Sequence, residues 1–267
     1  MNVEYRDVLV SAKDVSLSLG GVPVLREVNL EVRDLVRPGR VTGQVVGLLG
    51  PSGIGKTQLF RLLAGLSTPD RGQVTLTKAA RPVRAGDVGV VAQDFPLFEH
   101  RTVLGNLVVA GRQAGLSTAE AKARALALLA RLSLGHRANA WPKALSGGQR
   151  QRVAIAQQVL CSEHVLLMDE PFSGLDPNAV DEVCALITEL ASQDELNTII
   201  VVTHDLAAAA AVCDHLWLLG TVDGQPGATV VATWDLVERG VAFAPDVRST
   251  PQYRDLVAEV RARFMRG

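Results

Sequence analysis

The chain has 267 residues, 48% hydrophobic and 21% charged, and its 27 Lys and Arg nearly cancel its 28 Asp and Glu to leave a formal charge of −1. That length suits one large domain, or one domain with a subdomain, and is enough to bury a sizeable core. The charge balance excludes a basic surface that coats nucleic acid and a disordered acidic chain. The three cysteines, Cys161, Cys184 and Cys213, are odd in number and far apart, without the CxxC spacing of a zinc site, so reduced thiols in a cytosol are expected.

Two short alternating runs, Val8 to Val15 and Val24 to Val32, predict strands, with Gly20, Gly21 and Pro23 marking an antiparallel turn between them. Gln44 to Leu49 is almost wholly apolar, as a strand covered on both faces of a parallel sheet would be. It runs into Gly50, and Gln58 to Leu66 has helical spacing that ends at Gly65. From about Phe95 to Trp141 the chain is rich in Ala and Leu, and Ser117 with Glu120 has capping-box spacing before a helix to Leu132. This predicts a mostly helical insertion over about residues 95–160.

Val165 to Met168 and Thr198 to Thr203 read as buried parallel strands, with a helix between them that starts at Asp176 as N-cap and Pro177 and runs to about Ala191. Strand, helix, strand in that order implies an α/β core and a right-handed crossover. Residues 221–267 form a C-terminal extension of the same domain, with a strand-like Ala228 to Thr233 and an amphipathic Gln252 to Met265. That extension could regulate, dimerise or cover the sheet. No segment approaches the roughly 20 apolar residues needed to cross a bilayer, and Glu4, Arg6 and Asp7 stand where a signal peptide would be apolar, so a soluble, unexported chain is expected.

Three motifs carry chemistry. The string Gly50, Pro51, Ser52, Gly53, Ile54, Gly55, Lys56, Thr57 fits the phosphate-binding loop, whose glycines let the backbone wrap a polyphosphate ahead of a helix N-terminus. Lys56 would reach the β and γ phosphates, and the Thr57 hydroxyl would serve Mg2+. Asp169 and Glu170 end a buried strand, and neighbouring positions there point to different sides, so the two cannot share one task. Asp169 is assigned to the metal and Glu170 to activation of the attacking water. Finally, Leu145 to Gln149 (LSGGQ) places Ser146, Gly147 and Gly148 at the start of a strongly helical run, an arrangement suited to a second anion.

These motifs, with Gln93, the turn Ser173 to Pro177 and His204, occur in the order and spacing of an ATP-binding-cassette ATPase, which the chain resembles from about Val10 to Leu219. The resemblance implies a P-loop NTPase core with a mostly parallel sheet, an N-terminal antiparallel β subdomain and an inserted α-helical subdomain, with residues 1–220 as the cassette. It implies ATP and Mg2+ as cofactors and a head-to-tail dimer, expected to be a homodimer. Each ATP would lie between one chain's phosphate loop, Gln58 included, and the partner's Ser146, Gly147, Gly148 and Gln149. It further implies that Gln93 touches the metal and water, that His204 contacts the γ-phosphate and that Asp176 belongs to the loop linking the two sites. Asp176 can act as N-cap at the same time.

Gln93 to Leu107 and the WPKALSGGQ string resemble bacterial importer cassettes, especially those for polar amino acids. That implies transmembrane permease subunits as partners, an extracytoplasmic solute-binding protein within the complex, a place on the cytoplasmic face of the membrane, and no nucleic acid. Phe95, Leu97 and Phe98 are either the apolar contact for a permease helix or core of the helical insertion. The rival function is a soluble cassette ATPase acting on nucleic acid or ribosomes, which usually carries two cassettes or a coiled-coil insertion.

The chain departs from the family in four places. Leu19 stands where many relatives stack an aromatic on adenine, Gln58 replaces a small hydroxyl residue, Gln157 occupies a place often filled by Arg in the helix after LSGGQ, and the stretch between Leu30 and Gly43 is longer than usual. The last reads as an inserted exposed loop of Arg33, Asp34, Arg37, Pro38, Gly39 and Arg40.

Overall fold

A computed structural model describes residues 3–36, 43–76, 81–161, 165–192, 198–242, 244 and 246–264. The chain opens with strands β1 (Glu4–Leu19) and β2 (Val22–Val36), which pair antiparallel with Leu19 opposite Val22. Gly20 and Gly21 between them both have positive φ, as a two-residue type I′ hairpin demands. Both strands run well beyond the predicted runs. Pairing continues to Tyr5 opposite Leu35 and Glu4 opposite Val36, through register shifts that break the simple alternation. At one shift Asp14 takes a positive φ, and its side chain and backbone exchange hydrogen bonds with Asn29. Arg33 and Asp34 therefore belong to β2 and not to an inserted loop, and Leu35 beside them is buried. Arg37, Pro38, Gly39 and Arg40 lie outside the described residues.

Next come β3 (Gln44–Leu49), α1 (Lys56–Leu63), β4 (Arg71–Leu76), β5 (Arg81–Pro82) and β6 (Gly89–Val91). The helical insertion holds α2 (Val103–Gln113), α3 (Thr118–Arg131) and α4 (Gly147–Cys161). Its local signals hold in three dimensions, since Ser117 and Glu120 exchange both bonds of a capping box. Asn106, fully buried, ties the approach to α2 by accepting from Phe98 N–H and donating to the carbonyls of Phe98, Arg101 and Thr102. Phe95 and Leu97 pack against the core, while Phe98 and Trp141 are exposed, so of the three predicted contact residues Phe98 alone presents its ring outward.

The chain then returns to the sheet with β7 (Val165–Asp169), α5 (Pro177–Ala191), β8 (Thr198–Thr203), α6 (Leu206–Val212), β9 (His215–Val222), β10 (Gln225–Asp235) and α7 (Pro251–Phe264). Met265 lies outside the described residues. Among the described residues the strands form one sheet in the order β5-β4-β1-β2-β10-β9-β3-β8-β7-β6. The five strands from β9 to β6 are parallel, and β1, β2, β4 and β5 form the antiparallel part. β10 lies between these parts, antiparallel to β9 and touching β2 through Ala228 opposite Leu25.

Alternate residues of the central strands feed two cores, as a period of two requires. Val45, Ile199 and Val201 pack with α5, α6 and α7, whereas Val46, Leu48, Ile200 and Val202 pack with the hairpin and α1. The C-terminal α7 buries Tyr253, Leu256 and Val260, and the Tyr253 hydroxyl donates to the Ala207 carbonyl of α6. Covering the core is thus one thing the extension does. Cys161, Cys184 and Cys213 are free thiols, and burial pushes the Cys213 thiol well above its ordinary range.

Candidate functional site

β3 is buried along its whole length and delivers the chain to Gly50 at the edge where the parallel strands end. The loop then turns through Gly53 and Gly55, both at positive φ, a conformation that costs a side-chain-bearing residue roughly 1–2 kcal/mol. A Cβ on Gly55 would also crowd Val24 and Leu25 at 3.1 and 3.2 Å. Gly55 is the N-cap of α1, so the helix begins at Lys56 and Thr57 and not, as its apolar spacing alone predicts, at Gln58.

Lys56 is buried and folds back on its own loop, donating from Nζ to the carbonyl of Gly50 at 2.7 Å and of Pro51 at 3.1 Å. Its Nζ lies 3.8 Å from Glu170 Oε1. Burial holds the amine below its usual range, while Glu170 and then Asp169 oppose that shift.

Asp169 closes β7 and Glu170 follows it at a φ of 47°, a left-handed conformation uncommon for such a residue. Glu170 N–H donates to the Val202 carbonyl at 2.8 Å, which anchors the turn to β8. The Glu170 carboxylate is then crowded with donors at one oxygen. Oε2 accepts from Thr203 Oγ1 at 3.0 Å and from His204 N–H at 3.2 Å, and lies 2.9 Å from His204 Nδ1.

These groups share one open cleft of about 510 Å3, lined by Leu19, Val24, Ser52, Gly53, Gly55, Lys56, Thr57, Gln58, Gln93, Asp169, Glu170, Ser173 and His204. Gln93 reaches Ser173, with Nε2 donating to its Oγ at 3.5 Å. Leu19 and Val24 give the cleft an aliphatic wall at the hairpin end, and Leu19 is half exposed. Gly50, Pro51 and Ile54 shape the loop from behind without lining the cleft.

The donor set fits a nucleotide with Mg2+. Among the described residues no cluster of three His, Cys, Asp or Glu could hold a metal by itself. A hydroxyl (Thr57), one carboxylate (Asp169) and an amide (Gln93) beside a phosphate-wrapping loop are what Mg2+ takes when phosphates complete its shell. Asp169 is held above the usual carboxylate range, first by burial and then by Glu170, with Lys56 opposing. A carboxyl whose folded pKa is raised favours folding below the unfolded value and loses that contribution as pH rises through the folded one. At neutral pH Asp169 is therefore a charge the fold carries at a cost. Asp169→Asn is expected to raise the melting temperature by a few °C at pH 7, with the gain fading toward pH 4, while hydrolysis disappears. Thermal melts across pH in buffer without nucleotide check this, and a lower melting temperature at pH 7 would contradict it.

The cleft does not contain the second predicted anion site. Ser146, Gly147, Gly148 and Gln149 start α4 elsewhere, and Ser146 and Gln149 form a capping box in which Ser146 Oγ accepts from Gln149 N–H and Gln149 Oε1 accepts from Ser146 N–H. The serine's own proton remains free to donate outward. A Cβ added at Gly147 or Gly148 meets nothing within 4 Å, and neither residue has positive φ, so nothing in this chain's packing requires glycine there. Asp176 caps α5 through Oδ1, which accepts from Asn178 and Ala179 N–H.

Sequence reading missed Val24, Ser173 and Thr203 as members of this constellation. Thr203 carried a signal, being a hydroxyl at the C-terminal end of a buried strand directly before His204.

Comparison with known proteins agrees with this geometry. The ABC transporter family model matches residues 40–173. The L-cystine transport system ATP-binding protein TcyN of Escherichia coli is 38% identical over 221 residues, covering 77% of this chain and 85% of that protein. The methionine import ATP-binding protein MetN 2 of Lactiplantibacillus plantarum is 35% identical over 222 residues, covering 80% of this chain and 61% of that protein. The chain spans between 56% and 67% of the length of the methionine and sulfate import proteins it matches. A dimeric ATP-binding cassette solved in a post-hydrolysis state bound to ADP and Pi superposes with a TM-score of 0.68 at 27% identity, over 85% of this chain and 99% of that one. On its motifs, its fold and these likenesses, this chain belongs to the ABC transporter family.

Proposed function

We propose that the chain is the ATP-binding and hydrolysing subunit that energises a multi-subunit membrane importer of a small polar solute such as an amino acid. The observation that carries the reading is the single cleft where the phosphate loop, Asp169, Glu170 and His204 meet. The relatives named for cystine and methionine import support the solute class.

Lys56 would exchange its carbonyl partners in the loop for phosphate oxygens, and the helix that starts at Lys56 would direct its N-terminal N–H groups at the same charge. Thr57 and Asp169, with Gln93 alongside, would hold Mg2+, which would supply neutralisation of the phosphate charge when bound. Glu170 would take a proton of the water as the water oxygen bonds to the γ-phosphorus and the bond from that phosphorus to the β–γ bridging oxygen breaks, the oxygen leaving with ADP, while the His204 imidazole turns from Glu170 to the γ-phosphate. The products are ADP and inorganic phosphate.

The two glycines of α4 that this chain's packing does not require support a second copy, whose nucleotide would approach Ser146, Gly147, Gly148 and Gln149. The exposed Phe98 and Trp141 offer an apolar contact for a helix of a permease subunit. Among the described residues no helix is long and apolar enough to cross a membrane. On the importer reading, the chain would act as a peripheral subunit at the cytoplasmic face. A solute-binding protein would reach it only through the permease.

If two chains complete each site, the hydrolysis rate per chain rises with protein concentration before it saturates. Rates of the purified chain across a hundredfold dilution series test this. A rate per chain that stays constant throughout would contradict the composite site.

A further inference from the structure

The contacts of Glu170 come from one short stretch. Thr203 and His204, the end of β8 and the residue after it, supply three groups at its Oε2, while Oε1 faces Lys56 at 3.8 Å. Of these groups, the His204 imidazole and Lys56 also belong to the phosphate-facing machinery and would be drawn to the γ-phosphate, leaving the Thr203 hydroxyl and the His204 backbone N–H at Oε2. Thr203 does not line the cleft and is fully buried. Its hydroxyl is moreover held on both sides. Oγ1 accepts from Asp205 N–H at 3.0 Å, which orients the rotor and leaves its one proton for Glu170 Oε2 at 3.0 Å. Glu170 itself stands at an unfavourable backbone angle, φ 47°, a conformation that persists only where surrounding contacts hold it.

We propose that Thr203 is a positioning residue for hydrolysis. It keeps the Glu170 carboxylate at one place on the edge of β8 while Lys56 and His204 turn to phosphate. The inference rests on the ATPase reading above. A general base must sit within hydrogen-bond reach of the water it activates, and a displacement of about 1 Å can cost two orders of magnitude in rate. Thr203 Oγ1 and the backbone N–H of His204 are neutral donors that stay at Oε2, and the hydroxyl is the one of the two that a side-chain substitution can remove.

Three variants grade the donor at constant position. Thr203→Ser keeps both bonds, Thr203→Cys keeps a weak donor, and Thr203→Val keeps the β-branched shape with none. ATP hydrolysis by the full chain is measured for each, with ATP affinity from a nucleotide titration and the melting temperature alongside. The valine variant is expected to lose about tenfold in kcat with KM and ATP affinity within twofold of wild type, the cysteine variant to fall between, and the serine variant to recover wild-type kcat. Because Thr203 acts through Glu170, adding Thr203→Val to Glu170→Gln is expected to cost less than twofold more. Should the valine variant not fold, the serine and cysteine pair still decides by their order.

Equal kcat in all three variants would overturn the inference. So would a tenfold loss that persists in the Glu170→Gln background, or a loss accompanied by equal loss of ATP binding. A wild-type chain that hydrolyses no ATP would remove the ATPase reading and this inference together, whereas full wild-type activity with an unaltered valine variant would remove the inference alone.

Discussion

Glu170→Gln is expected to lower ATP hydrolysis by about 100- to 1000-fold, the contribution typical of a positioned general base, while leaving ATP binding intact. The amide is nearly isosteric, and its oxygen can still accept from Thr203 Oγ1 and His204 N–H at the place the carboxylate now occupies. What it cannot do is take a proton from water. The Lys56 Nζ at 3.8 Å loses an opposite charge but keeps its bonds to Gly50 and Pro51, so the loop is expected to hold its shape. With binding retained and turnover stopped, the closed pair of chains accumulates. Size exclusion with light scattering should show a dimer that appears on adding ATP. A variant hydrolysing at the wild-type rate would remove Glu170 from its role.

Lys56→Met acts at the other end of the same pair. The amine is buried and burial disfavours its charge, so a thioether of similar length removes one desolvated cation. Against that gain, the Gly50 and Pro51 carbonyls lose a charged donor, and Asp169 and Glu170 lose the cation that offsets their repulsion. These opposing terms leave the melting temperature within a few °C of wild type. Function has no such compensation. Charge-assisted hydrogen bonds contribute about 1.5–3 kcal/mol each, so losing two to phosphate weakens ATP binding by more than about 100-fold, and hydrolysis falls below detection. Titration with a fluorescent ATP analogue measures the first effect. An unchanged affinity would place the phosphates somewhere other than this loop.

Much of this site was legible in the chain because its signals are local. β3 and β8 occupy the runs predicted for them because residues covered on both faces are continuously apolar. The helix from Pro177 to Ala191 starts where Asp176 and Pro177 say it should, since capping is decided within four residues. The hairpin outruns its alternating stretch because register shifts between Tyr5 and Val8 and between Val8 and Val10 break the period of two, after which Tyr5 and Leu35 pair without an alternating pattern to announce it. The same shifts hid Arg33 and Asp34 inside a strand. Partners distant in sequence left no trace either, as with Ala228 against Leu25 or Val24 in the wall of a cleft whose loop begins at Gly50. Phe95, Leu97 and Phe98 look alike in sequence, yet only Phe98 is exposed, because the positive φ at Phe95 and the Asn106 bonds to Phe98 set which ring turns inward. A threonine ends many strands, so the place of Thr203 directly before His204 is a weak signal, and it becomes telling through the 3.0 Å contact across to Glu170.

On the proposed reading, this cleft spends ATP on behalf of a membrane pathway formed by other chains. The most direct test is gentle affinity purification of the chain from detergent-solubilised membranes, with identification of what accompanies it and ATP hydrolysis assayed on the same sample. Co-purified integral membrane proteins with hydrolysis that disappears in the Glu170→Gln variant are the predicted result. An active ATPase recovered without membrane proteins and bound instead to nucleic acid or ribosomes would contradict it.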